Sequence, residues 1–169
     1  HQWDMTLFTL LGATIQTGSR PNPQDLIVVT PFGEDVSSAV AAQKLDAIRT
    51  VGIDGFGTMQ PACRRTLMVS PATLPQWRDK AHALLARDKV SVSVIQDSPG
   101  FVAQRVLATI VNIACDIAQQ QIATPSDIDR AVKLGLNYPD GPLALGDRLG
   151  SDRILEILTN LQSVTGDMR

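Results

Sequence analysis

The chain changes its hydrophobic period at Asp97. Just before it, "VSVSVI" (Val90 to Ile95) alternates strictly, as a half-buried strand does. Just after it, Val102, Val106, Ile110, Ile113 and Ile117 recur at helical spacing, with Arg105, Thr109, Asn112, Asp116 and Gln120 on an opposite polar stripe. Upstream of the change, strand and helix patterns interleave; downstream there are only helix patterns. A chain so patterned is expected to fold as an α/β piece followed by a small helical one, with the boundary near Gln96 and domains spanning 1–96 and 97–169.

In the first half, "DLIVVT" (Asp25 to Thr30), closed by Pro31 and Gly33, reads as a strand buried on both faces. "RTVGID" (Arg49 to Asp54) and "RTLMVS" (Arg65 to Ser70) read as two more. Asp35 to Ile48 carries Val36, Val40 and Leu45 at helical spacing. Thr73 is placed to cap a helix running to about Arg87, with Trp77, Ala81, Leu84 and Leu85 on one face. Residues 1–23 have a mixed apolar texture that assigns no element.

In the second half, Ser98 is placed as an N-cap and Pro99 at the first helical position, where its fixed φ helps and its missing amide costs nothing. The apolar stripe from Val102 to Ile117 is expected to face inward. "TPSD" starts another helix, with Thr124 as cap, Pro125 first and Asp127 completing a capping box, and Gly135 ends it. "YPDGPL" is a turn that launches a short helix, and Ser151 caps a last one with Ile154, Leu155, Leu158 and Leu161 inward.

Composition excludes several function classes. Hydrophobic residues make up 44% and charged residues 19%, which is globular rather than disordered. Lys and Arg number 15 against 17 Asp and Glu, with no basic block, so nucleic acid is not an expected partner. Cys63 and Cys115 are the only cysteines and lie far apart, which suggests neither a disulfide framework nor a metal cluster, and points to a reducing cytoplasm. The most apolar segment is interrupted by Arg105, Asn112 and Asp116, so no membrane span is expected. The opening "HQWDMTL" shows neither an initiator methionine nor a signal-peptide pattern, so a fragment is expected rather than a natural start.

"DSPGFVAQR" (Asp97 to Arg105) followed by "SDIDRAVKLGLNYPDGPLALGDRLG" (Ser126 to Gly150) resembles the C-terminal helical domain of the 3-hydroxyacyl-CoA dehydrogenases. That family writes these stretches as D-x-P-G-F-x-x-N-R, D-I-D-x-A-x-x-x-G and P-x-G-P-x-x-x-x-D-x-x-G. The resemblance covers Asp97 to about Asp152, in order and spacing. It implies a Rossmann-like α/β remnant followed by an all-α domain like the C-terminal one of 6-phosphogluconate dehydrogenase, the helical domain mediating dimerisation and helping to enclose acyl-CoA. The sharper resemblance is to the second, degenerate unit of tandem bacterial enzymes of the 3-hydroxybutyryl-CoA dehydrogenase type.

Departures from that pattern bear on chemistry. Dinucleotide binding needs a glycine-rich turn between a strand and a helix. Here "GFGTMQ" (Gly55 to Gln60) lacks its third glycine and continues as "PACRR", the composition of a loop, so no cofactor-binding residue is assigned. The position of the family's general-base histidine holds Asp54, and the strand that would carry its glutamate partner reads Leu67, Met68, Val69. An aspartate, with an unperturbed pKa of about 4, is a poor base unless burial raises it. His1 is terminal, and His82 sits midway along a surface helix. The family's asparagine is Gln104, whose extra methylene displaces the amide. No catalytic residue and no metal ligand is assigned. Pro99, Gly100, Phe101 and Gln104 are the candidate substrate contacts, and Arg105 is read as an ion-pairing residue ahead of a CoA phosphate contact.

The leading expectation is a non-catalytic C-terminal portion of an NAD-dependent 3-hydroxyacyl-CoA dehydrogenase of fatty acid β-oxidation. NAD would belong to the full enzyme and not to this segment. The expected partners are a second copy in a homodimer, acyl-CoA, and an N-terminal catalytic unit of the same polypeptide. Two other readings remain: a free-standing oligomerisation module without ligand, and an active dehydrogenase using Asp54 as base.

Overall fold

A computed structural model of the chain describes residues 2–16, 21–55 and 64–166, with side chains from Met5 onward. It forms two compact units, 1–101 and 102–169. The first unit therefore runs five residues past Gln96, because Asp97, Gly100 and Phe101 all bond or pack within it.

The first unit contains α1 (Gln2–Leu10), β1 (Ile27–Val29), α2 (Val36–Gln43), β2 (Thr50–Ile53), β3 (Arg64–Val69), α3 (Pro75–Leu85) and β4 (Ser91–Gln96). The strands form one mixed sheet in the order β1-β2-β3-β4. β1 is parallel to β2, β3 is antiparallel to β2, and β4 is parallel to β3. Because side chains alternate across a strand, odd-numbered Val51, Ile53, Leu67 and Val69 meet Leu11, Ala81 and Leu85 on one face. Val29 and Met68 meet Val36, Ala39 and Phe101 on the other. Helices thus cover both faces, which accounts for the unbroken apolar texture of β2, all four of whose residues are buried.

Gly52 has a steric role. A Cβ there would come within 2.6 Å of Val36 Cγ2 and 3.4 Å of Phe101 Cζ, so the bare backbone is what lets α2 lie on the sheet. The expected helix over 35–48 stops at Gln43, where Lys44 turns left-handed (φ 53°), and a short 3-10 turn, Ala47–Arg49, follows. Thr73 does not cap α3. Its hydroxyl is turned to Thr50 O (3.0 Å) and the Ser70 amide (3.1 Å), bracing two strand ends, and α3 starts from Leu74 with Pro75 at its first position. β4 is an edge strand with each face only half covered: Val92 packs on one core and Ile95 on the other, while Val94 is exposed.

The second unit contains α4 (Ala103–Gln119), α5 (Pro125–Leu136), α6 (Pro142–Leu149) and α7 (Ser151–Thr165), with α4 packed against the other three. The face of α4 that is buried is Gln104, Ala108, Val111 and Ala114, and not the predicted stripe: Val102, Val106 and Ile113 are 57, 46 and 54% exposed. Close packing explains the choice. A Cβ on Gly146 of α6 would lie 2.8 Å from Val111 Cγ1, a separation that only small residues permit at the crossing.

Thr124 caps α5 as expected, accepting from the Asp127 amide at 3.2 Å, although its hydroxyl meets the Asp127 carboxylate rather than completing a capping box. The helix ends at Asn137, left-handed at φ 55°, two residues beyond Gly135. Ser151 is the first residue of α7 and makes no cap; Gly150 holds that position at φ 93°. Ile154 and Ile157 are the buried residues of α7, whereas Leu155 is 64% exposed.

Gly146→Ala is expected to lower stability by about 1–3 kcal/mol through overpacking, with Val111→Ala restoring part of it, as read by chemical denaturation. The Arg65 guanidinium, almost wholly buried, grips Asp88 with two bonds of 2.6 and 2.7 Å and holds its carboxyl at about 2, below the ordinary 3.8. A depressed carboxyl stabilises the fold above its unfolded pKa, and that contribution disappears as pH falls through the folded value. Acid titration should therefore show Asp88→Asn losing less stability than the parent between about pH 4 and pH 2.

Candidate functional site

The segment that carries the resemblance begins where β4 ends. Asp97 is expected from sequence only as a residue ahead of a helix, yet its carboxylate reaches a different helix 61 residues earlier. Oδ1 accepts from the Val36 amide at 2.7 Å and Oδ2 from the Ser37 amide at 3.2 Å, and the Ser37 hydroxyl donates to Oδ2 as well. Asp35 Oδ1 takes the Ser38 amide at 2.6 Å. The first turn of α2 thus has three amides in the hands of two carboxylates, which satisfies groups the helix leaves open and places negative charge at the positive end of its dipole.

Ser98 and Pro99 do not start α4. Pro99 and Gly100 are buried in a turn in which Gly100 (φ 76°) and Phe101 (φ 48°) are both left-handed, and two such residues cannot continue a right-handed helix. The Gly100 amide donates to Glu34 O at 3.3 Å, fastening the turn beside the Asp97 cap. Phe101 is 2% exposed, set among Val29, Val36, Ala39 and Met68. Helix α4 begins only at Ala103, from Val102, with no side-chain cap.

The other candidates lie as follows. Asp54 directly follows β2, its amide donating to Thr66 O at 3.2 Å, and is 3% exposed. Since β2 and β4 run in opposite directions, Asp54 and Asp97 leave the sheet at opposite ends. Leu67, Met68 and Val69 are core residues of β3. His82 is exposed on α3. Gln104 is buried, 1% exposed, in the first turn of α4, and Arg105 beside it is partly buried. Cys115 is exposed on α4. Cys63, His1 and all of "GFGTMQ" beyond Gly55 lie outside the described residues. Among the described residues no cluster of His, Cys, Asp or Glu is arranged to hold a metal ion, and no helix is long and apolar enough to cross a membrane.

The second unit repeats the long-range cap. Asp129, the last residue of "DID", accepts from the Leu143 amide at 2.8 Å and the Ala144 amide at 3.0 Å, capping α6 from α5. Gly141, just ahead of α6, leaves the space this needs: a Cβ there would stand 2.2 Å from Asp129 Cγ. Neither cap was found by sequence reasoning. Their signal was the motif aspartates themselves, but a cap is sought within three or four residues, and these partners are remote.

The pyrophosphate of a nicotinamide dinucleotide would need open amides at the helix that follows β1. The amides of Val36, Ser37 and Ser38 already face the carboxylates of Asp97 and Asp35. An added diphosphate would meet like charge there, so the start of α2 does not fit the group.

Replacing Asp97 with alanine is expected to cost about 1–2 kcal/mol, from lost caps and helix-dipole charge. Hydrogen exchange should show faster opening of α2 in that variant while the amides of α5 to α7 are unchanged; equal effects on both would refute the assignment.

Comparison with known proteins places these features. Residues 100–169 match the family model described as the 3-hydroxyacyl-CoA dehydrogenase C-terminal domain. The chain is 46% identical over 90 residues to a 3-hydroxyadipyl-CoA dehydrogenase of Escherichia coli K12, covering 53% of this chain and 19% of that protein. It is 45% identical over 82 residues to a 3-hydroxybutyryl-CoA dehydrogenase of Clostridioides difficile, covering 48% and 29%. Among solved structures, the 3-hydroxybutyryl-CoA dehydrogenase of Escherichia coli K12 aligns with a TM-score of 0.72 and 31% identity over 92% of this chain and 31% of that one. The (S)-3-hydroxybutyryl-CoA dehydrogenase of Ralstonia eutropha aligns with 0.78 and 25% over 99% and 56%. The chain spans less than a third of the length of these curated relatives. Residues 100–169 are thus similar to the C-terminal domain of the 3-hydroxyacyl-CoA dehydrogenases.

Proposed function

We propose that this chain is the C-terminal portion of an NAD-dependent 3-hydroxyacyl-CoA dehydrogenase of fatty acid β-oxidation, and that this portion does no chemistry itself. The whole enzyme would oxidise the 3-hydroxyl of an acyl-CoA to a ketone, a hydride passing from C3 to NAD and the hydroxyl proton to a base. The observation that carries the reading is the division among motif residues. Asp97, Asp129, Gly141 and Gly146 hold helices in place, whereas the positions that the resemblance gives to the base and its partner would be Asp54 and core residues of β3. The intact catalytic unit, with its nucleotide site, would lie elsewhere in the same cytoplasmic polypeptide.

Within that enzyme, residues 1–101 act as a nucleotide-fold remnant and 102–169 as the helical dimerisation domain. Pro99, Gly100, Phe101 and Gln104, the candidate substrate contacts, are all buried, so each would bear on acyl-CoA binding as a support within its own unit rather than as a reacting group. The exposed stripe Val102, Val106 and Ile113 on α4 is an apolar surface of the kind that a second copy covers. The same stripe favours the second reading, an oligomerisation module with no ligand. Calorimetric titration with CoA separates the two, since saturable heat excludes a purely structural module.

Given acetoacetyl-CoA and NADH, the chain should show no turnover; NADH oxidation above the blank would restore an Asp54-based enzyme. Sedimentation should give about twice 18.2 kDa for the parent and the monomer mass for Ile113→Asp, whose exposed position spares the fold.

A further inference from the structure

In the stretch Ser98 to Val102, local sequence and structure ask for opposite conformations. Ser98 followed by Pro99 is the signature of a helix start, a hydroxyl cap with proline at the first helical position. The structure puts a turn there instead, with Gly100 at φ 76° and Phe101 at φ 48°, and starts α4 only at Ala103. Glycine takes the left-handed region without cost. Phenylalanine does not, so this conformation persists only where its surroundings impose it. Among the described residues, the other non-glycine positions of positive φ, Lys44, Lys89, Gln121 and Asn137, are exposed; Phe101 alone is buried.

Three holds impose the turn, and all of them end on α2 or on the sheet beneath it. Asp97 takes the Val36 and Ser37 amides at 2.7 and 3.2 Å. The Gly100 amide donates to Glu34 O at 3.3 Å, just ahead of α2. The Phe101 ring is packed among Val29, Val36, Ala39 and Met68. None of the three belongs to α4, which starts without a side-chain cap from Val102, whose carbonyl takes the Val106 amide at 3.0 Å. Val102 is already right-handed, at φ -96° and ψ -52°. Between Pro99 and Ala103, only Gly100 and Phe101 are therefore of the opposite hand.

We infer that residues 98–102 are a two-state element. In the major state they form the turn latched to α2. In a minor state they form the first turn of a longer α4 that starts at Pro99, with Ser98 as its cap and Phe101 drawn out of the first core. The exchange moves hydrogen bonds from one helix start to the other. The amides of Ala103, Gln104 and Arg105 take the carbonyls of Pro99, Gly100 and Phe101, four residues back, while α2 gives up Asp97 and keeps Asp35. Burial of the Phe101 ring opposes the backbone strain and keeps the turn in the majority, with the minor state at about 1%. One short segment thus governs the starts of α2 and α4 in opposite senses, and whatever competes for the α2 amides lengthens α4. The inference stands on backbone geometry and is independent of the enzyme reading.

Nitrogen-15 saturation-transfer and relaxation-dispersion NMR of the whole chain test it. Residues Gly100 to Arg105 should exchange on the microsecond-to-millisecond timescale with a state of about 1% whose shifts are those of right-handed helix, while α5 to α7 show no such exchange. Asp97→Ala should raise that population roughly tenfold. In Gly100→Ala, alanine is strained in the turn and favoured in the helix, so the amides of Ala103 to Arg105 should exchange with solvent roughly tenfold more slowly than in the parent. Should that variant fail to fold, the parent's own exchange decides the matter. Absence of exchange at these residues, a minor state with random-coil shifts, or exchange spread evenly over β1 to β4 overturns the inference. Neither CoA nor NADH enters these measurements, so the failure of this inference and of the proposed function are told apart.

Discussion

The carboxylate of Asp97 holds the first unit to its shape. It stands one residue past the end of β4 and takes two amides of α2, so the position of a helix is set by the end of a strand 61 residues further along. That bond orients α2 over Gly52, the one place in β2 where the helix can come close. It also brings the following turn to Glu34, where the Gly100 amide is held, and Phe101 falls into the core that α2 closes. A charged cap satisfies backbone groups at the helix start and gains from its dipole, each a contribution of about 1 kcal/mol. Its larger effect is geometric, because the left-handed pair Gly100 and Phe101 follows from where Asp97 is pinned.

Asp129 and α6 repeat the device in the second unit, with Gly141 giving the carboxylate room. Gly146 then brings α6 against Val111 of α4. The residues by which the segment resembles its family are thus largely those that fix backbone positions at close range. Such residues resist replacement whether or not a reaction takes place beside them, since a Cβ at Gly141 or Gly146 meets neighbouring atoms at once. This accounts for a motif kept in order and spacing whatever chemistry takes place beside it.

Helix α4 carries the plainest difference between pattern and packing. Its most hydrophobic stripe would ordinarily be assigned to the core. The core instead takes Ala108, Val111 and Ala114, because α6 approaches closely at Gly146, against Val111. Val102, Val106 and Ile113 are left outside. Periodicity identifies an apolar face but does not say whether it is covered by the same chain or by another; the distance between helices decides that.

The sequence by itself determined the four strands, the helices from α2 to α7 within a few residues, the change of texture after β4, and the resemblance that the match over residues 100–169 bears out. These rest on local periodicity, on prolines at first helical turns and on short motifs, all properties of neighbouring residues. Only the tertiary structure decided the antiparallel step between β2 and β3, the cross-chain caps by Asp97 and Asp129, the turn that carries Phe101 into the first core, and the outward face of α4. Each of these depends on groups remote in sequence satisfying one another's hydrogen bonds or competing for the same space, and no window along the chain contains both partners.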